Sequence, residues 1–301
     1  MRNVKEEIQV RTASLTLRDW LQDFELLVKF RLSSFVVFSS LVAFCIAAGS
    51  HFALIPFILL AAGGFLITFA ANILNEVLEA DFDRMMQRTA NRPLAAGRWT
   101  SSSALELAGL FSIVGIVLLA LLNPLTSFLG TLSLVTYAFL YTPLKRYSPV
   151  SVIVGAIPGA LPVMIGMIAY DGVITSEALF LFAIQFLWQF PHFWAIGFLS
   201  YEQYRFAGYK LLPEDEGTID RRLGTQALVY TCLLLPVLGF GYVFGLISLG
   251  GVLGMTILSS MFIYKAWVFN RNFDRASARK LMFSSFIYLP LALMLLWWSM
   301  S

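Results

Sequence analysis

Leu54 to Arg84 reads LIPFILLAAGGFLITFAANILNEVLEADFDR, and this stretch decides the fold. It carries no charge before Glu76, so its apolar part is long enough to cross a hydrocarbon core of roughly 30 Å as a helix. The remainder then turns abruptly polar, with Glu76, Glu79, Asp81, Asp83 and Arg84 in nine residues. A membrane span that runs directly into a charged segment is the unit to look for elsewhere in the chain.

Working outward, comparable apolar runs occupy residues 33–50, 54–76, 103–122, 125–142, 150–170, 177–199, 225–245, 249–268 and 280–299. The chain is therefore expected to be an all-α, polytopic membrane protein with nine transmembrane helices. Residues 1–32 form an N-terminal segment and 33–301 the membrane domain. Composition agrees: 58% of residues are hydrophobic, only 13% are charged, and the mean hydropathy is +0.77. Soluble domains carry about twice that share of charge.

The 21 Lys and Arg residues test the count, because cytoplasmic loops collect them near the ends of spans. All fall before the first run, in the second, fourth and sixth loops, or around the eighth, and the odd-numbered loops have none. That places the N-terminus in the cytoplasm and the C-terminus outside. The same division among five sites excludes nucleic acid as a partner, since such a binder gathers its charge on one soluble face. Glu6, Glu7, Asp19, Asp23 and Glu25 argue against a mitochondrial transit peptide, which is poor in acids, and favour a bacterial plasma membrane. Cys45 and Cys232 lie within apolar runs, without the spacing of a metal site or a disulfide.

The long polar loops, residues 77–102 and 200–224, stand four helices apart. This suggests two related halves, helices 1–4 and 5–8, that face a shared central cavity, with helix 9 added. Within the first loop, Asn75, Glu79 and Asp83 recur every four residues, so on a continuing helix they form one stripe of oxygen ligands. Like charges at that spacing repel, and acids near a helix C-terminus oppose its dipole. A bound cation resolves both conflicts. Magnesium suits the stripe, since it takes few carboxylates and completes its shell with water and phosphate oxygens. On this reading, neutralising either acid should steady the metal-free protein. Arg84, Arg88 and Arg92 make a second ladder of four-residue steps, fitted to grip a diphosphate with their guanidinium forks. The plainer alternative is that these charges pair with one another in solvent.

These residues resemble a known family. Asn75-x-x-x-Glu79-x-x-x-Asp83, leading into Arg88-Thr89-x-x-Arg92-Pro93-Leu94, is similar to the first acidic motif of the UbiA superfamily of intramembrane prenyltransferases. Glu79 stands where that family normally has Asp, which keeps the carboxylate and moves it by one methylene. Three further segments resemble the superfamily's haem-farnesylating branch: Tyr141-Thr142-Pro143-Leu144-Lys145-Arg146 with Gly155 to Pro162, Trp188 to Trp194, and Tyr204 to Pro213. Phe190 before Pro191 and Glu202-Gln203 depart from the branch pattern. The second Asp-rich motif of the quinone-pathway branches is missing from the sixth loop.

The resemblance implies a UbiA-like bundle around a central cavity, farnesyl diphosphate and haem B as substrates, Mg2+ as cofactor, and a haem A synthase or oxidase-assembly partner for the product. It implies catalytic roles for Asn75, Glu79, Asp83 and His192, and diphosphate contact for Arg84, Arg88, Arg92, Lys145 and Arg146. Lys145 and Arg146 alternatively serve only topology. His192 alternatively bonds neighbouring helices, rather than acting as an iron ligand or proton handler. The rival function classes are a prenyltransferase for a quinone precursor, a transporter and a non-catalytic assembly factor. The transporter is disfavoured because the polar residues gather at one face.

Overall fold

With no water in a bilayer core to satisfy backbone groups, an apolar run must bond its own N–H and C=O groups, and each run here is helical. The computed structural model describes residues 16–300. Among them, nine helices are long and apolar enough to cross a membrane. They are α2 (Phe30–Ala48), α3 (Leu54–Asp83), α4 (Ser101–Ala120), α5 (Pro124–Leu144), α6 (Ser151–Asp171), α7 (Ser176–Leu199), α9 (Arg222–Val243), α10 (Leu249–Asn272) and α11 (Arg275–Met300). Two shorter helices, α1 (Leu17–Leu27) and α8 (Tyr201–Phe206), and a two-residue hairpin, β1 (Glu214–Asp215) with β2 (Thr218–Ile219), complete the described chain. Large apolar side chains such as Phe35, Ile55, Ile113, Phe128 and Ile257 stay exposed, as helices that face lipid require.

Two boundaries differ from those read in the sequence. Helix α3 continues to Asp83, so the acidic segment is helical, and the first span starts at Phe30 rather than at residue 33. The N-terminal segment holds an element of its own. Thr16 and Asp19 form a reciprocal capping box at the start of α1, a device that satisfies two of the four free N–H groups of a helix end. One face of α1 buries Asp23 and Leu27, while Leu17, Trp20, Leu21 and Leu26 remain exposed. Asp23 pairs with Arg98 at 2.9 Å, and Trp20 and Phe24 stack against each other and meet Trp99 and Phe69. Lys29 then takes a left-handed backbone conformation, φ 48°, which turns the chain from α1 into α2. The portion of this segment before Thr16, with Arg2, Lys5 and Arg11, lies outside the described residues.

Helix α6 is the most buried span, and its small residues explain how others approach it. A Cβ on Gly166 would lie 2.0 Å from the Ser40 carbonyl of α2, and one on Gly155 would lie 2.6 Å from the Tyr141 ring of α5. Pro162 frees the Pro158 carbonyl, and the Ser133 hydroxyl of α5 donates to it at 3.3 Å. Helix α11 packs against α10, α7 and α2. It thus joins the last helices to the first, rather than sitting outside two four-helix halves.

Candidate active site

Helix α5 has an unusual end. Pro143 cannot donate to the carbonyl of Phe139, and the preceding turn, Thr136–Tyr141, widens to a π-helical one. The widened turn presents Thr142 to α3. The Thr142 hydroxyl donates to the Tyr137 carbonyl and accepts from Asn75 Nδ2, both at 2.9 Å.

Along the last three turns of α3, Asn72, Asn75, Glu76, Glu79 and Asp83 are all at least 97% buried. Each is held. Asn72 Nδ2 donates to the Val28 carbonyl at 3.2 Å and to the Ser33 hydroxyl at 3.0 Å, which pins the α1–α2 turn to α3. Asn75 Nδ2 also donates to Glu79 Oε2 at 3.0 Å, and its Oδ1 accepts from the Lys29 ammonium. Glu79 forms an ion pair with Lys145. Arg92 donates to Asp83 Oδ2 at 2.7 Å and lies 3.9 Å from Glu76. Three carboxylates of α3 thus lie among three basic side chains, Lys29 from the turn before α2, Arg92 from the loop after α3 and Lys145 from the end of α5.

The predicted stripe therefore exists as a buried stripe, with its charges compensated within the protein. As the side chains stand, no three His, Cys, Asp or Glu side chains among the described residues converge as metal ligands. The acids follow one another by a turn, about 6 Å, and each is turned towards a cation. The donor set nonetheless fits a hard divalent ion. Both Glu76 oxygens and Asp83 Oδ1 are buried without a hydrogen bond, and unfilled carboxylate oxygens beside an amide oxygen are the ligands magnesium takes. Burial works against the charge of Arg92, but Asp83 and Glu76 outweigh it and hold its pKa above the ordinary value. Burial, and next to it the Arg92 charge, pulls the Lys29 ammonium well below the lysine range.

The arginines do not form one helical ladder, because α3 stops at Asp83 and residues 84–99 are a succession of turns. Arg84 points away from the stripe. It pairs with Asp81 at 2.9 Å on the exposed surface and donates to the Ala95 carbonyl. Arg88 bonds the Tyr204 hydroxyl and lies 4.6 Å over that ring, so it bridges to the second long loop. Arg146 donates to the Leu78 carbonyl and lies 3.8 Å over the Phe82 ring. The two long loops pack on each other through Met86, Ala207, Tyr209 and Leu211, beside Phe82 and Tyr204. Burial, with the nearby Glu79 and Asp83 charges, raises the Tyr209 phenol far above its usual range, so it remains a hydroxyl donor.

His192 belongs to another group. Its Nδ1 lies 2.7 Å from the Ser285 hydroxyl of α11, its ring stacks on Trp188 at 4.9 Å, and Phe286 meets it edge-on. Trp188 Nε1 donates to the Ser285 carbonyl at 2.9 Å. None of these partners comes from α3. Lys29, Glu76, Tyr204 and Tyr209 join this candidate site without a spacing in the sequence that marks them. Lys29 reads as an ordinary topological lysine, and only the left-handed turn at that residue carries it to Asn75.

The model of the UbiA prenyltransferase family matches residues 36–287. The chain is 42% identical over 266 residues to the protoheme IX farnesyltransferase of Cytophaga hutchinsonii, covering 88% of this chain and 93% of that protein. It is 40% identical over 279 residues to the protein of the same name from Christiangramia forsetii, covering 90% and 91%. Among solved structures, one of digeranylgeranylglyceryl phosphate synthase superposes with a TM-score of 0.78 at 16% identity, over 93% of this chain and 98% of the other. A UbiA homolog from Archaeoglobus fulgidus, bound to GPP and Mg2+, superposes with a TM-score of 0.63 at 14% identity, over 91% and 99%.

Proposed function

The chain belongs to the UbiA prenyltransferase family, and from this membership we propose that it transfers the farnesyl group of farnesyl diphosphate to a vinyl carbon of haem B, giving haem O. The observation that carries the chemistry is the buried alternation of Glu76, Glu79 and Asp83 with Lys29, Arg92 and Lys145 at the end of α3.

Asn75, Glu79 and Asp83, with Glu76 beside them, would hold Mg2+. When bound, the ion neutralises the diphosphate and makes it a better leaving group. Lys145, Arg92, Arg88 and Arg146 supply donors for the diphosphate oxygens, where charge-assisted bonds are strongest. Of the arginines assigned to that role from sequence, Arg84 is paired with Asp81 on the exposed surface. As the C1–O bond of farnesyl diphosphate breaks, the vinyl carbon bonds to C1. The cation left on the adjacent carbon takes up water and loses a proton, which leaves a hydroxyl. Aromatic faces of Tyr137 and Tyr141 near the stripe shield the allylic cation from premature attack. Among the described residues His192 Nε2 has no hydrogen bond while Ser285 fixes Nδ1, which leaves one ring nitrogen for the haem iron or a proton.

The enzyme is a multi-pass membrane protein. Its Lys and Arg distribution supports a bacterial plasma membrane location, with the N-terminus in the cytoplasm and the C-terminus outside. A reporter fused after Ser301 is then active only outside the cytoplasm. The product would pass to a haem A synthase or an oxidase-assembly partner. The decisive experiment expresses the chain in a haem-producing bacterium that lacks its own enzyme and weighs the extracted haems. A species heavier by farnesyl plus water is expected, and unchanged haem B overturns the assignment.

A further inference from the structure

A second group of cations lies where the start of α9 meets the end of α10. Arg221 and Arg222 at the start of α9 and Arg271 near the end of α10 line a surface cavity of about 580 Å³, together with Thr225, Trp267 and Asn270. No acid lines it. Asp220 accepts from the Arg222 backbone N–H, and Asp274 is engaged by Ser277. Arg221 donates to the Arg271 carbonyl at 2.9 Å, which ties α9 to the end of α10. Arg222 and Arg271 make no ion pair among the described residues, and the Arg271 guanidinium rests 5.6 Å from the Trp267 ring centre.

The helix below continues this site. Arg271, Trp267, Tyr264, Ser260 and Ile257 follow one another by three or four residues, so they form one stripe along α10. Beneath the arginine cavity the stripe opens into a groove of about 470 Å³ lined by Thr256, Ile257, Ser260, Met261, Tyr264 and Lys265, most of whose surface is apolar. Ile257 and Met261 are 66% and 64% exposed. Topology alone requires basic residues near helix ends but not an acid-free cavity above a groove in register with it.

We infer that the outer face of α9 and α10 binds one anionic phospholipid, with its phosphate between Arg222 and Arg271 and an acyl chain along the Ile257–Tyr264 groove. The guanidinium groups match phosphate oxygens. Trp267 stands one turn before Arg271 on α10, between the arginines and the apolar groove, and indole rings favour the border between headgroups and chains. Basic pockets between membrane helices are recurrent sites for such headgroups.

The test uses the full chain, purified in nonionic detergent and stripped of lipid. It is titrated with phosphatidylglycerol or phosphatidylcholine, with inorganic phosphate as competitor, and occupancy is read by native mass spectrometry. One phosphatidylglycerol should be retained at least tenfold more tightly than phosphatidylcholine. Arg222→Gln with Arg271→Gln should remove that margin. Ile257→Trp, which fills the groove and leaves the arginines in place, should weaken phosphatidylglycerol at least threefold, and this arm decides alone if the double variant does not fold. Equal retention of the two lipids, an unchanged margin in the double variant, or an unaffected Ile257→Trp protein overturns the inference. So does displacement by equimolar inorganic phosphate, which would mark a simple anion site.

Discussion

The ends of α3 and α10 are both rich in cations, yet they differ in what surrounds the charge. At α3, Lys29, Arg92 and Lys145 alternate with buried carboxylates. At α10, Arg222 and Arg271 stand exposed with no acid between them. The first arrangement resembles a folded salt, held in a low-dielectric place where every removal leaves an uncompensated charge. The second is a set of open donors whose partner must come from outside. Basic residues that count identically in the sequence thus stand among buried carboxylates in one place and open on a surface in the other.

The largest expected effect lies in the first region. Glu79→Gln and Asp83→Asn should each lower farnesyl transfer by at least about a hundredfold, the scale of losing one electrostatic stabiliser of developing charge. They should also destabilise the metal-free protein by about 3 kcal/mol, because Lys145 or Arg92 is left buried without its partner. The sequence alone predicts the opposite sign for stability, from repulsion along the stripe. Thermal unfolding in chelator decides between the two, and a higher melting temperature in either variant would break the contrast drawn above.

Next in size, Lys29→Gln should cost about tenfold in kcat/KM, the equivalent of about 1.4 kcal/mol at a hydrogen bond to a charged group. Asn75 loses the donor on its Oδ1, so Mg2+ affinity should change along with turnover. An unchanged magnesium titration would remove Lys29 from the site.

His192→Ala should reduce use of haem while magnesium-dependent binding of farnesyl diphosphate stays within about twofold, because its partners lie on α7 and α11. Ser285→Ala removes only the Nδ1 partner. It should cost about 1 kcal/mol of stability, the ordinary worth of one hydrogen bond, and less activity than the histidine variant. Parallel loss of both substrates in His192→Ala would give the residue a purely structural role.

The smallest effect belongs to Arg84→Ala. Its pair with Asp81 is exposed on both sides, and such pairs contribute about 0 to 1 kcal/mol. Turnover within about twofold of wild type is expected. A loss as deep as that of Asp83→Asn would mean that Arg84 swings towards the diphosphate.

How far the sequence leads depends on the range of the interactions. The spans are legible because an apolar run in lipid has only one way to satisfy its backbone, and the stripe of Asn75, Glu79 and Asp83 follows from helical periodicity once α3 is known to continue. The ladder of Arg84, Arg88 and Arg92 fails as a periodic object because helix periodicity was extended past Asp83 into turns. Lys29 reaches Asn75, and Tyr204 reaches Arg88, only through tertiary contacts between segments more than forty residues apart. No spacing rule records such contacts. The segment from Tyr204 to Pro213 is conspicuous as a pattern, but nothing in its spacing shows that its tyrosines stand beside Arg88 and Lys145.

The length of α3 has a consequence for traffic. At about 1.5 Å per residue its first twenty residues use up the roughly 30 Å of hydrocarbon, and ten more continue past that depth. On the proposed assignment, the stripe at the end of α3 stations the reaction at a border between two solvents. A prenyl tail and a porphyrin can arrive sideways through oil, while a multiply charged by-product departs into water without ever traversing it.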